Sequence, residues 1–276
     1  MSAAKRGKAV FEVFMNIAAL VMIYPTFYVL INAFKPGAEI ASNPVGLPSH
    51  WTLDNFATVL GTTGAGGFTF LSSMMFTALL CLGSVVGIVL FASMAAYMLV
   101  RDKSRTSRRL FYFFAFFIVI PFQVIMVPLV ALATDLNIKD PIGLIVMYWG
   151  LGIPSGVFMF HGFIKTVPES LDESAAMDGA GAFVTFFRII FPLMMPIVTT
   201  IVILNTLWVW NDFLLPYITL RKGTLVLFQF NFFRSFSQDN GALTASLVMT
   251  ATPVIVLFLS LQKFIIKGVS AGAVKG

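Results

Sequence analysis

The sequence predicts an all-α polytopic membrane protein. Six transmembrane helices are expected, with a helix-turn-helix outside the bilayer between the fourth and fifth. Three observations carry that reading. Hydrophobic residues make up 58% of the 276 and charged ones only 11%, with 30 Phe; a soluble fold has too little interior to hide that fraction, whereas lipid solvates it directly. The apolar residues gather into six runs of about 20 residues or more, the length a bilayer asks for. Between the last two long runs but one lies PESLDESAAMDGAGAFVTFFRIIFPLMMP, Pro168 to Pro196, whose Glu169, Asp172, Glu173 and Asp178 hydrocarbon would reject. Such a segment sits in water or against another protein.

The expected spans are 10–34, 69–100, 110–133, 142–164, 192–217 and 241–266, forming one domain over residues 1–276. Lys5, Arg6 and Lys8 precede the first run, a layout shared with signal peptides. That run approaches bilayer length, however, and ends in FKPGAE rather than a small-residue cleavage site, so it reads as a retained span with a kink at Pro25. Residues 35–68 form a long loop punctuated by Pro36, Pro44 and Pro48. Within it TLDNFATVL reads as a short amphipathic helix and GTTGAGG as a hinge or loop tip. The second span is rich in small residues, and its Gly83–Gly87 pair allows another helix of the chain to approach closely. RDKSRTSRR, Arg101 to Arg109, follows as a basic anchor.

The third span holds Pro121, Gln123 and Pro128. The fourth is expected to be interrupted around Gly150, Gly152, Pro154 and Gly156; such a break either lines a cavity or moving part, or is a packing irregularity, and both readings stay open. His161 reads as an interfacial residue at the inner end, since a lone His is no metal site. The fifth span carries Asn205, Trp208, Trp210, Asn211 and Asp212. A carboxylate at membrane depth is a functional candidate, and an outer-interface position, where Trp and Tyr gather, is the alternative. An outer loop (218–240), the sixth span with Pro253 and the tail KGVSAGAVKG complete the chain.

Charge distribution orients the spans. Lys5, Arg6, Lys8, Arg101, Lys103, Arg105, Arg108, Arg109, Lys165, Arg188, Lys263, Lys267 and Lys275 fall on one side, and Lys35, Lys139, Arg221, Lys222 and Arg234 on the other. Basic residues mark the cytoplasmic side, so both termini and the acidic stretch are expected there. Pro168 suits a first helical turn, and Glu169, Asp172 and Glu173 load that turn with charge that complements the helix dipole. Ser174, Ala175 and Ala176 offer a smooth surface, and Gly179 fits a left-handed helix end. A second helix, 182–191, is expected to expose Arg188 and to dock Phe183, Phe186, Phe187 and Ile190 onto the bundle. A helix pair lying on the membrane with no partner is the alternative.

Several functions are excluded. No G-x-x-x-x-G-K-[ST] loop and no nucleophile–base set occurs, so neither nucleotide binding of the usual kind nor catalysis is expected; the chain is not an enzyme. Cys81 is the single cysteine, which rules out a disulfide framework and a cysteine metal site. The net charge of +6 sits beside apolar runs and reads as topology rather than nucleic-acid binding. A secondary transporter would need ion ligands at mid-membrane, where only Asp212 is available.

The residues then match a family. ESAAMDG, nine further residues, Ile189, one residue and Phe191-Pro192 resembles the EAA loop of importer-type ABC transporter permeases, with Glu173, Ala175, Gly179, Ile189 and Pro192 at matching positions. Ser174 replaces an Ala of the pattern and Phe191 a Leu. FKPGAEIASNPVGLPSHWTLDNF, VPESLDE, WNDFLLP and GVSAGAVKG are similar to the carbohydrate-uptake permeases, the maltose-type second subunit, over nearly the whole chain.

The resemblance implies a permease subunit of a binding-protein-dependent importer for a sugar, working by alternating access in the cell membrane. An importer for a non-sugar solute is the alternative, and an ion-coupled secondary transporter a more distant one. The implied partners are a second permease subunit, two cytoplasmic ATPase subunits and an extracytoplasmic sugar-binding protein, besides the sugar and membrane lipid. The chain itself is expected to hold no cofactor, ATP and Mg being bound by the partner ATPase. Glu169, Asp172, Glu173, Ala175, Ala176, Asp178, Gly179, Ile189 and Pro192 are the implied coupling residues. Ala271, Gly272, Ala273 and Lys275 form the implied ATPase-contacting tail, and Trp208, Asn211 and Asp212 are candidates for the substrate pathway.

Overall fold

The computed structural model describes the backbone of residues 3–235 and 239–273, and side chains over 11–64, 66–235 and 239–262. Among the described residues every regular element is helical, and the one β-type pairing is an isolated bridge between Thr63 and Thr69. The helices are α1 (Ala3–Asn32), α2 (Gly37–Ser42), α3 (Asp54–Gly61), α4 (Phe70–Arg101), α5 (Arg105–Val119), α6 (Phe122–Asp135), α7 (Pro141–Ile164) and α8 (Ser170–Met177). After them come α9 (Ala182–Thr185), a π-helical turn (Phe186–Ile190), α10 (Phe191–Leu193), α11 (Met195–Asn211), α12 (Leu214–Thr219), α13 (Leu225–Ser235) and α14 (Asn240–Ala273).

Among the described residues four stretches are long and apolar enough to cross a membrane: Phe11–Asn32, Phe70–Arg101, Pro141–Ile164 and Asn240–Gln262. Two bent pairs raise the number to six if each is one span, Arg105–Val119 with Phe122–Asp135 (104°) and Ala182–Leu193 with Met195–Asn211 (78°). The expected third span is therefore not straight. Pro121 has no N–H to continue the ladder of α5 and pushes Ile120 into extended backbone (φ −75°, ψ 120°), so the chain turns there. Pro128 and Pro25 lie inside α6 and α1 without ending them.

The chain divides into two compact units. The first joins the chain up to Ser72 with Phe228–Pro253. Its loop is more ordered than the sequence suggested. Helix α3 stands where TLDNFATVL pointed, α2 adds a turn that Pro and Gly spacing concealed, and Asn55 donates from Nδ2 to the carbonyls of Ala33 (2.9 Å) and Lys35 (2.7 Å). Lys35, counted as an outer-loop charge, is fully buried and donates from Nζ to the Asn43 carbonyl at 2.6 Å.

The second unit runs from Ser73 to Leu227 and resumes at Val254. Its core gathers Val85, Ile88, Ala92 and Ala96 of α4, Val157, Phe160 and Ile164 of α7, Phe186 and Ile190 of the π turn, and Met194, Val198 and Ile201. The expected break in the fourth span is absent: α7 is continuous through Gly150, Gly152, Pro154 and Gly156. Its glycines serve close approach instead. A Cβ on Gly156 would come within 2.7 Å of Ala92 Cβ, and one on Gly152 would overlap Ile88. Across the same contact Gly83 and Gly87 of α4 face Ile145 and Trp149, and Trp149 Nε1 donates to the Gly83 carbonyl at 3.0 Å. The small residues of both helices thus belong to one intramolecular interface.

Three further expectations change. His161, expected at the inner interface, is packed inside the chain, its ring stacked on Phe111 with centroids 3.8 Å apart. Helix α11 stops at Asn211, because Asp212 is extended (φ −72°, ψ 121°), and a separate α12 follows. The expected outer loop contains α13, whose Leu225, Leu227, Phe228 and Phe232 are buried; the Leu225 N–H is received by Thr77 Oγ1 at 2.8 Å.

Candidate functional site

The acidic stretch between α7 and α11 builds a short helix with a defined end. Glu169 is the N-cap residue of α8, and Asp172 and Glu173 occupy its first turn, where the N-terminal backbone amides favour carboxylates. At the other end the Gly179 N–H donates to the Ala176 carbonyl (3.0 Å) and the Ala180 N–H to the Ala175 carbonyl (2.9 Å). That pair of bonds is a Schellman end, and it requires Gly179 at φ +79°. The Gly179 expectation is met, and a Cβ there would meet nothing within 4 Å.

Helix α8 has two chemically distinct sides. On one, Ala175 is buried at 3% exposure and Asp172 is held by α4. The Tyr97 hydroxyl donates to Asp172 Oδ1 at 2.5 Å, and Arg101 Nη2 lies 2.8 Å from Asp172 Oδ2. The second contact is an ion pair out of hydrogen-bond alignment, since Oδ2 has no hydrogen-bond partner. Arg101 Nη2 also donates to the Val167 carbonyl at 3.3 Å, and its guanidinium lies 5.9 Å from the centroid of the Tyr97 ring. Just outside, Lys103 Nζ donates to Glu169 Oε2 at 2.8 Å. That bond, with the Lys103 charge, holds the exposed Glu169 carboxyl below the usual carboxylate range. On the other side Glu173, Ala176, Asp178 and Gly179 are exposed, and Met177 reaches 88% exposure.

Beyond α8 the second helix of the hairpin departs from a plain α-helix. Phe186 and Ile190 dock inward as expected, but Phe183 (69% exposed) and Phe187 (43%) face out beside Arg188. The turn from Phe186 to Ile190 is π-helical, and Thr185 rather than Phe183 or Phe187 joins Phe186 and Ile190 on the buried side. Ile189 is half-buried and Pro192 exposed.

At the far end of α11, Asp212 Oδ2 accepts from the Tyr148 hydroxyl (2.8 Å) and Oδ1 from the Leu214 N–H (3.0 Å). Trp208 stands edge-on to Tyr148 with ring centroids 5.3 Å apart. With Ser155 and Pro154 of α7 and Phe117 and Phe122 at the α5–α6 bend, Trp208 and Asp212 line a cavity of about 250 Å³. Asn211 lies outside it, exposed, its Nδ2 donating to the Leu207 carbonyl at 2.7 Å. Of the tail residues, Ala271, Gly272 and Ala273 lie outside the described side chains and Lys275 outside the described residues altogether. Among the described residues no group of three or more His, Cys, Asp or Glu side chains is arranged to hold a metal ion.

Sequence reasoning missed Tyr97, Arg101, Lys103 and Tyr148. The basic RDK run directly after the second span, set against an acidic stretch 66 to 75 residues later, was the available signal for the first three. Nothing in the sequence paired Tyr148 with Asp212.

Comparison with known proteins agrees with this architecture. Residues 87–271 match the family model of binding-protein-dependent transport system inner membrane components. The chain is 36% identical over 270 residues to the multiple sugar-binding transport system permease protein MsmG of Streptococcus mutans, covering 95% of each chain. It is 30% identical over 280 residues to the melibiose/raffinose/stachyose import permease protein MelC of Bacillus subtilis, covering 100% of this chain and 99% of MelC. Its fold is shared with a chain of a bacterial ABC transporter involved in import of the acidic polysaccharide alginate, at a TM-score of 0.83, 21% identity and coverage of 95% and 98%. The resemblance carried by the EAA-type loop is thereby borne out, and this multi-pass chain belongs to the family of binding-protein-dependent transport system inner membrane components, the permease subunits of ABC importers.

Proposed function

We propose that the chain imports a saccharide as one of two permease subunits, driven by ATP hydrolysis on two cytoplasmic ATPase subunits and supplied by an extracytoplasmic binding protein. The observation that carries this reading is the outward side of α8. Glu173, Ala176, Met177 and Asp178 stand exposed on a helix whose other side is fastened inside the chain, ending at a Gly179 turn with open space around it. A polar, small-residue helix side with one protruding Met suits a cleft on a soluble partner. Both termini and this hairpin lie on the cytoplasmic side in this reading, as the basic residues favour. Ile189 and Pro192 lead the hairpin back into the membrane, and the tail from Ala271 to Lys275 is a second ATPase contact. ATP and Mg belong to the ATPase.

Saccharides are the proposed cargo because the similar MsmG and MelC are named for sugars. Trp208 and Asp212 add an aromatic face and a carboxylate acceptor in one cavity, the pair of groups that stacks and hydrogen-bonds a sugar ring; Asn211 is assigned to the mouth of that pathway. The transport cycle needs an α8 contact that differs in strength between two ATPase states, since a ligand bound equally by both shifts nothing.

Copurification of the assembled complex tests the assignment. The expected result is an ATPase bound to the permease pair whose hydrolysis rises when a binding protein with its saccharide is added. An intact permease pair that retains no ATPase overturns it, and stimulation only by a charged, non-sugar solute overturns the saccharide assignment.

A further inference from the structure

Helix α8 has three routes into the membrane, two covalent and one not. The short link 165–169 joins its start to α7, and the longer covalent route leads to α11. From Met177 it passes the exposed Gly179 turn, Gly181 and the π turn, then a 78° bend at Met194 before α11 begins. The non-covalent route leads to α4. Asp172 is gripped by Tyr97 and Arg101 at 2.5 and 2.8 Å, Arg101 also reaches Val167 on the link from α7, and Lys103 holds Glu169 at 2.8 Å. All three α4-side residues lie in or just past its last two turns, so they hold the start of α8 and its approach from one place.

A glycine turn, an irregular helical turn and a sharp bend in series absorb a displacement. A half-buried ion pair backed by a hydroxyl passes it on, and close-packed interiors transmit strain because they compress little. Behind the grip, α4 is seated against α7 through Gly87 and Gly156 and tied by the Trp149–Gly83 bond. Asp172 was grouped with the ATPase-facing carboxylates in the sequence, yet its carboxylate is turned into the chain.

We infer that Arg101, Tyr97 and Asp172 form a clasp through which α8, already joined to α7 by its short link, drives α4 directly, and that α4 shares the motion with α11 through their common core. The three are positioning residues, acting on transport through α8. This rests on the docking of α8 described above and adds to it which span receives the force. The long α4 then moves with α8 from the start of the cycle, although α11 is the span that follows α8 in the chain.

The test uses the reconstituted complex with its binding protein and two independent readouts. In the first, nitroxide labels replace Met98 on α4 and exposed Ser170 at the start of α8, in a Cys81→Ser background. The expected label distance is the same without nucleotide and with ATP plus vanadate, and it becomes nucleotide-dependent in Arg101→Ala. A distance that changes in the otherwise unmodified chain, or one indifferent to Arg101→Ala, overturns the clasp.

In the second, radiolabelled melibiose, raffinose and maltotriose are offered, and saccharide transported per ATP hydrolysed is measured. Asp172→Asn is expected to lower that ratio about ten-fold with the ATPase still bound, and Arg101→Asp combined with Asp172→Arg to recover it to within about threefold. One Gly inserted after Gly181, which slackens the covalent route to α11, is expected to leave the ratio within about threefold. The reverse order, a damaging insertion with a harmless Asp172→Asn, overturns the clasp. Transport of none of the three by the unmodified complex removes the saccharide assignment instead and leaves the label distance to decide. Loss of the ATPase from the unmodified complex removes the docking of α8, and the clasp with it.

Discussion

The Tyr148 hydroxyl donates to Asp212 Oδ2 at 2.8 Å, joining the third turn of α7 to the residue that ends α11. Tyr148 is fully buried, so the carboxylate of a helix-ending residue is aimed by a side chain 64 positions earlier. Only the donor is fully buried, and the acceptor is a part-buried carboxylate at a cavity wall, so losing the bond is expected to cost about 1 kcal/mol or somewhat more. Tyr148→Phe is therefore expected to lower the unfolding midpoint of the purified complex in detergent. Trp208→Phe, which keeps an aromatic ring at the edge of Tyr148, is expected to leave it nearly unchanged. Equal midpoints for Tyr148→Phe and the unmodified chain would show that the bond contributes no stability.

Gly179 separates a backbone requirement from a contact. Its φ of +79° disfavours any side chain, yet a Cβ meets nothing of this chain within 4 Å. Gly179→Ala and Gly179→Trp are expected to destabilise the isolated chain alike, by about 1 kcal/mol or somewhat more. ATPase stimulation should separate them, with Ala keeping most of it and Trp losing it, because only the bulky group reaches into a docked partner. Matching losses in both variants would mean that backbone strain alone explains the position.

Two neighbouring glycines of α7 should behave oppositely. Nothing lies within 4 Å of a Cβ on Gly150, whereas one on Gly152 overlaps Ile88 and comes within 3.2 Å of Asn205 Oδ1. Gly150→Ala is expected to be neutral or to stabilise by about 0.5–1 kcal/mol through helix propensity. Gly152→Ala is expected to cost about 1–3 kcal/mol by overpacking. Thermal unfolding of the two variants side by side checks the contrast.

Acid should loosen the Lys103–Glu169 pair. The Glu169 carboxyl is lowered from its ordinary 4.5, first by the Lys103 hydrogen bond and then by its charge. A folded-state value below the unfolded one gives stability that is fully present above about pH 4.5 and lost as pH falls through the lower folded value. Both groups are exposed, so the effect is small. Glu169→Gln is expected to lower the midpoint slightly and evenly between pH 6 and 8, and to converge on the unmodified chain as pH falls through the lowered folded value. A variant that matches the unmodified chain at neutral pH and differs from it only in acid would contradict the assignment.

Composition made the membrane class legible, since 58% hydrophobic content leaves few alternatives. The helix end at Gly179 was legible because one residue type satisfies one backbone conformation. The direction of Asp172 was not, because the residues that claim it, Tyr97 and Arg101, lie over 70 positions earlier and only the folded chain brings them together. Gly152 and Gly156 misled for a related reason: glycine in a helix signals a break or a close neighbour equally well, and the neighbour, α4, is distant in sequence. The bend at Pro121 was hidden by Pro128 seven residues on, which an α-helix absorbs. Local sequence does not say which proline will win.

The π turn at Phe186–Ile190 gives the motif spacing a tolerance that is uneven along its length. A π turn holds one residue more than the α turn it replaces. Nine residues separate Gly179 from Ile189, and one of them is surplus to an uninterrupted helix. A deletion within 186–190 lets the turn relax to α-helix and leaves the helices on either side pointing as before. The same deletion at 182–185 swings everything upstream by about 100°, carrying Met177 and Asp178 away from any partner they faced. Chains one residue shorter in this segment can therefore keep the same docking geometry, provided the gap falls among Phe186, Phe187, Arg188, Ile189 and Ile190.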